Sequence, residues 1–164
     1  MLSPQQLFDR LAELGIAPTT VGHAPVFTVE EAKAHRGVLP GHHIKNLFLR
    51  NKKEEMWLVV ALEDRVIDLK RLGETLGAGR LSFGSPERLG RYLGVEPGSV
   101  TPFAVINDTA HKVRLVLDEG LKIDGPINAH PLTNTMTSAI TLSDLLRFFA
   151  ATGHEPRWID LGGG

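Results

Sequence analysis

Apolar and polar positions along this chain follow two rhythms. Leu7, Leu11 and Leu14 recur at helical spacing behind Ser3-Pro4, an N-cap followed by a proline in the first turn, and Gly15 ends the run. Thr28 with Glu31 makes a capping box ahead of a helix over 29–35. Asp68 caps a helix that runs through Leu76 to Gly77, and Ser85-Pro86 opens another to Leu93 with Gly94 beyond it. Thr141 and Asp144 open a last helix, in which Leu142, Leu145, Leu146 and Phe149 share a face as far as Thr152.

Between these lie short β-branched or alternating runs. They predict strands over 18–23, 43–49, 56–62, 80–83, 104–106, 112–117, 127–130 and 135–140. Val66-Ile67 is expected to continue the sheet, and 155–161 to add an edge strand. The polar run Asn51 to Glu55 between two apolar segments predicts a β-hairpin. Strands outnumber helices and do not alternate with them regularly. The expected architecture is therefore α+β, a single domain over 1–164 with a mixed, mostly antiparallel sheet surrounded by helices.

One position breaks the pattern. Lys45-Asn46 lies inside the apolar run Ile44 to Leu49, so an ammonium and a carboxamide sit where a buried strand is expected. Alternation puts Lys45 with Leu47 and Leu49, and Asn46 with Ile44 and Phe48. A charge in such a place is costly without a partner, which an anionic ligand or a reacting oxygen supplies. The competing reading is a shorter strand with Lys45 snorkelling from its end. A second segment, Asn128-Ala129-His130-Pro131, ends a strand with a proline that holds His130 toward extended geometry. It reads either as a wall of backbone N–H groups and an imidazole, or as an ordinary turn.

Composition narrows the chemistry. The 164 residues are 42% hydrophobic and 23% charged, with a net charge of −1, so no global basicity marks a nucleic-acid binder. Contact with a nucleic acid has to come from a local patch. Arg50, Lys52 and Lys53, on or just beyond the lysine strand, and Arg80 are the candidates for phosphates. There is no cysteine, which removes a thiol nucleophile, disulfides and Cys-based zinc. Seven histidines show no metal-ligand spacing, and adjacent His42 and His43 point to opposite faces of a strand. Neither a Gly-x-Ser-x-Gly elbow nor a phosphate loop is present. No metal and no cofactor is expected. Without a signal-peptide pattern or an apolar run of about 20 residues, the chain is expected in the cytoplasm, away from membranes.

Taken in order, Pro25 to Ala32, Lys45-Asn46-Leu47-Phe48-Leu49, Gly98 to Phe103 and His130-Pro131-Leu132-Thr133-Asn134-Thr135 resemble the YbaK/prolyl-tRNA synthetase-associated editing domain family. The likeness spans about residues 5–160 and is greatest to the family's alanyl-tRNA(Pro) deacylase branch, ProXp-ala (PrdX). It implies hydrolysis of the ester between a wrong amino acid and the 3′-terminal ribose of a tRNA. It implies that Lys45, Asn46 and His130 are the catalytic group, with Lys45 holding the ester, Asn46 orienting it and His130 in the substrate loop. It further implies a size-selective pocket, for which Val26, Phe27, Ile127, Asn128, Ala129 and Pro131 are the candidate walls. Ala129 stands just before the His-Pro pair, where many relatives carry glycine nearby. The implied partners are the acceptor end of tRNA(Pro) and prolyl-tRNA synthetase, not DNA. Two alternatives stay open: deacylation of tRNA carrying cysteine, serine or threonine, and a non-catalytic module that binds tRNA or a synthetase.

Overall fold

Each α-helix start that falls in the described part of this computed structural model, residues 1–23 and 41–161, is built by the side chain its sequence offers. Ser3 Oγ accepts from the Gln6 N–H at 3.2 Å while Gln6 Oε1 accepts from the Ser3 N–H at 2.8 Å, a reciprocal capping box for α1 (Pro4–Glu13). Asp68 Oδ1 accepts from Lys70 and Arg71 N–H and starts α2 (Leu69–Leu76). Ser85 and Thr141 do the same for α3 (Pro86–Leu93) and α4 (Leu142–Thr152). Gly77, Gly94 and Gly153 end the last three helices in the left-handed region that glycine adopts without strain. The helix expected over 29–35 lies outside the described residues.

The strands are β1 (Thr19–Gly22), β2 (His42–Arg50), β3 (Met56–Leu62), β4 (Ser82–Phe83), β5 (Val113–Asp118), β6 (Ile127–Ala129), β7 (Met136–Ile140) and β8 (Arg157–Ile159). They form one mixed sheet in the order β1-β7-β6-β2-β3-β5-β8, with β4 paired to β2. Pairing is antiparallel for β1/β7, β7/β6, β2/β3 and β2/β4, and parallel for β2/β6, β3/β5 and β5/β8.

Two expectations fail. The run 104–106 is not a strand but part of a 3-10 helix, Pro102–Asn107. Thr101 Oγ1 caps it and Pro102 opens it, and Phe103, Ala104 and Val105 bury their side chains without any ladder. Val66-Ile67 leaves the sheet: Val66 is 91% exposed and Ile67 packs on the second apolar cluster described below. The strands expected over 80–83 and 155–161 shrink to β4 and β8.

The sheet separates two apolar clusters. On one face Ile44, Phe48, Leu58, Val60, Ile127, Ala129 and Ile140 join Leu7, Leu11, Phe103, Phe148 and Phe149 in the main core. On the other, Leu47, Leu49, Trp57, Val59 and Val116 meet Leu72 and Leu76 of α2. Alternation along β2 therefore turns Lys45 toward the smaller cluster and Asn46 toward the main core.

Candidate active site

β2 pairs with β3 from Ile44 to Arg50, Lys45 standing opposite Ala61 and Asn46 opposite Val60. On its other edge β2 pairs with β6 only at His42 and His43, and with β4 only at Leu49 and Arg50. Among the described residues the edge between them carries no ladder, and this opening holds Lys45-Asn46. The parallel register His43↔Asn128 puts Lys45, two residues on, on the sheet face to which Asn128 belongs, and His130 follows directly after the end of β6 at Ala129. β7 adds Thr137, and the end of β1 adds His23, to that face.

The lysine is anchored. Its Nζ donates to the backbone carbonyl of Arg65, in the turn between β3 and α2. An ammonium has three N–H donors, so two remain for a ligand. Beside it opens a cleft of about 430 Å³ lined by Gly41, His42, His43, Leu62, Glu63, Asp64 and Arg65. Arg65 is itself held: its Nε–H donates to Asp118 Oδ2 at 3.0 Å, and Asp118 is fully buried.

His130 is fixed in a different way. Its Nδ1 lies 2.9 Å from the Met136 carbonyl, which only accepts, so the proton sits on Nδ1 and Nε2 presents a lone pair. Burial lowers the imidazole's pKa below its ordinary 6.5; the Met136 bond works the other way and the charge of nearby His23 adds to the lowering. Burial thus favours the uncharged ring. The turn that carries it is tight: the Leu132 N–H donates to the His130 carbonyl at 2.9 Å, and Leu132 has φ +67°. A leucine in that region is strained, a feature found at ligand-shaping turns.

Asn46 lies on the opposite face from Lys45, and its Oδ1 is buried without a hydrogen-bond donor. Ile127 and Ala129, expected as pocket walls, are 1% and 4% exposed and belong to the main core. They back the site from behind. Asn128 shares the Lys45 face, with Nδ2 3.4 Å from the His42 carbonyl, and Pro131 is buried in the His130 turn. Val26 and Phe27 lie outside the described residues.

His23 and Thr137 were not foreseen. His23 Nε2 is 2.7 Å from Thr137 Oγ1, and its ring centre is 6.1 Å from that of His130. The β1/β7 pairing brings them together across 114 residues of chain, which no local spacing announces.

The cations expected to meet phosphate collect at the β2–β3 hairpin tip. Asn51, buried there, accepts from the Lys53 and Glu55 N–H groups and donates to the Ala78 carbonyl, tying the tip to the segment before Arg80. The tip's two carboxylates are occupied: Glu54 pairs with Arg88 at 3.4 Å and Glu55 with Arg114 at 2.8 Å. Arg50, Lys52, Lys53 and Arg80 make no ion pair among the described residues. No three His, Asp or Glu side chains among them converge on a point fit for a metal ion.

Comparison with known proteins follows the same outline. The sequence profile of the Aminoacyl-tRNA editing domain matches residues 23–148. The chain is 37% identical to the "Prolyl-tRNA editing protein ProX" of Acetoanaerobium sticklandii, covering 98% of this chain and 99% of that one. It is 42% identical to the "Prolyl-tRNA synthetase associated domain-containing protein 1" of Danio rerio, covering 93% of this chain and 84% of that one. Its fold superposes with a TM-score of 0.71, at 22% identity and over the full length of both chains, on the structure called "a putative trans-editing enzyme for prolyl tRNA synthetase".

Proposed function

This chain belongs to the aminoacyl-tRNA editing domain family, and from that membership we propose that it is a trans-editing hydrolase that clears alanine mischarged on proline tRNA. The observation that carries the reading is an anchored ammonium with two spare donors beside a stretch of β2 edge that carries no ladder among the described residues, with an imidazole of fixed tautomer just past the end of the neighbouring strand β6.

An aminoacyl ester is already activated. Its hydrolysis needs placement, and stabilisation of negative charge on the carbonyl oxygen as water adds. Water's oxygen bonds to the ester carbon, the bond from that carbon to the ribose oxygen breaks, and a water proton ends on the ribose oxygen. Lys45 holds the ester and turns an N–H toward the developing oxyanion. Neutral His130 accepts through Nε2 from the α-ammonium of the amino acid, a charge-assisted bond that a protonated ring would forbid. Asn46 is proposed to orient the substrate by hydrogen bonding; its Oδ1 is buried without a donor on the opposite face of β2, so this role requires that the carboxamide turn toward the strand edge. No protein general base is assigned; the ribose hydroxyl next to the ester is suited to that task.

The hairpin tip extends the reading to the rest of the substrate. Its carboxylates are matched by Arg88 and Arg114, which leaves Arg50, Lys52, Lys53 and Arg80 for the phosphates of the tRNA acceptor end. Selectivity is steric: a site that admits alanine and excludes the pyrrolidine ring edits what a proline-activating enzyme lets through. Action beside prolyl-tRNA synthetase fits this role.

The test is hydrolysis of tRNA(Pro) charged in turn with alanine, cysteine, serine and proline. Rapid release of alanine with prolyl-tRNA(Pro) spared supports the proposal. Preference for cysteine or serine would reassign the substrate. Binding without release from any of the four would leave a tRNA-binding module.

A further inference from the structure

Lys45 and Asp118 share a partner, Arg65, which the first meets through its carbonyl and the second through its side chain. Asp118, at the end of β5, is fully buried and spends its carboxylate on three donors. Oδ2 accepts from the Leu62 N–H at 3.2 Å and from Arg65 Nε–H at 3.0 Å, and Oδ1 accepts from the Gly120 N–H at 2.9 Å. These bonds join the end of β3, the turn after it and the turn after β5. Arg65 N–H donates to the Leu62 carbonyl at 3.0 Å and closes the same turn. The outcome is that the Arg65 carbonyl is presented to Lys45 Nζ.

Gly120 is part of the arrangement. A Cβ there would stand 2.4 Å from Arg65 Nη2 and 3.0 Å from Leu62 Cδ1. The guanidinium thus occupies the space a side chain at 120 would fill. A charge on the long stem of a lysine is mobile unless something orients it, and an acceptor fixed by two packed strands does so.

We infer that Asp118 and Arg65 are positioning residues for Lys45: a buried carboxylate grips the arginine side chain so that the arginine's own backbone carbonyl aims the lysine's remaining N–H groups at the substrate. The inference rests on the catalytic role proposed for Lys45, and it concerns placement, not contact with the ester.

Arg65 is partly exposed and Gly120 has an unstrained φ, so Arg65→Ala and Gly120→Ala probe the device without emptying the core. Displacing a catalytic group by about 1 Å costs on the order of 10²-fold. Single-turnover deacylation by Arg65→Ala is expected to fall by about 10- to 100-fold, with KM changed less than about threefold, and Arg65→Lys is expected to recover part of the loss. A second readout does not need activity. In ¹⁵N-labelled protein the Lys45 ammonium should give a resolved, exchange-protected NMR signal that broadens into the solvent-exposed lysines in Arg65→Ala and Gly120→Ala. Wild-type rates in both variants, or an unchanged Lys45 signal, would overturn the inference. If the wild type releases no amino acid from any charged tRNA, the enzymatic reading falls instead, and the NMR comparison still decides whether Arg65 holds Lys45.

Discussion

At the level of single residues the site joins two solutions to burying a polar group. Lys45 donates to a backbone carbonyl; His130 donates through Nδ1 to another, and its burial favours the uncharged ring. Lys45→Ala should lower single-turnover deacylation by about 10²–10³-fold, the loss typical of one oxyanion donor, with tRNA affinity largely retained. Lys45→Arg should also lose about tenfold or more, since a planar guanidinium cannot meet the Arg65 carbonyl and the ester in the same way. Asn46 offers a sharper case. Its Oδ1 has no donor, and a buried unpaired acceptor costs about 1–3 kcal/mol. Asn46→Leu should therefore raise thermal stability, by about 1 kcal/mol, while reducing deacylation. A fall in both would mean the carboxamide supports the fold. For His130 the sign follows from its depressed pKa: the unfolded chain takes up the proton first as pH falls below 6.5, so the ring's contribution is whole above that pH and fades below it. NMR titration should place the His130 midpoint below that of an exposed histidine.

Elements whose ends are set by neighbours in sequence were readable; those set by distant partners were not. Ser3, Asp68, Ser85 and Thr141 each bond to an N–H two or three residues on, so the start of each helix is written locally. The Lys45 strand and its hairpin were equally plain, because one polar turn separates two apolar runs. Ala104 to Ile106 misled because an apolar run buried on all sides looks alike in a strand and in a 3-10 helix. The site's frame lay beyond local reading: His23 meets Thr137 through β1/β7, and Asp118 grips Arg65 across 53 residues. Helix packing offers its own test. A Cβ at Gly73, in α2, would stand 2.1 Å from the Gly79 carbonyl oxygen. Alanine favours helices by about 1 kcal/mol over glycine, yet a backbone clash of this kind costs about 1–3 kcal/mol or more. Gly73→Ala should thus lower the melting temperature despite its better propensity.

Across the whole molecule the charges are sorted by task. Far from Lys45, His154 and Asp108 form a buried pair at 3.0 Å that fastens the end of α4 to the segment before β5. Burial pushes the Asp108 carboxyl up, but bonds from His154 and from the Val113 and Lys112 N–H groups outweigh it and hold the pKa below the ordinary 3.8. Its stabilisation is present above that value and lost as pH falls through the lower, folded one. Asp108→Ala should cost about 3–5 kcal/mol by chemical denaturation at neutral pH. At the hairpin tip Lys52 and Lys53, with Arg80 nearby, are the cations proposed to meet the phosphates of the tRNA. Replacing Lys52, Lys53 and Arg80 together by alanine should weaken tRNA binding and flatten its logarithmic salt dependence by about 2–3 units, leaving stability unchanged. An unaltered slope would move the tRNA to another surface.

The most direct measurement is a single-turnover comparison of alanyl-tRNA(Pro) and prolyl-tRNA(Pro), each mixed with excess wild-type protein and with Lys45→Ala. The expected result is fast loss of alanine alone by the wild type, and near-background loss of both by the variant. Equal rates for the two proteins on alanyl-tRNA(Pro) would contradict the role given to the anchored ammonium.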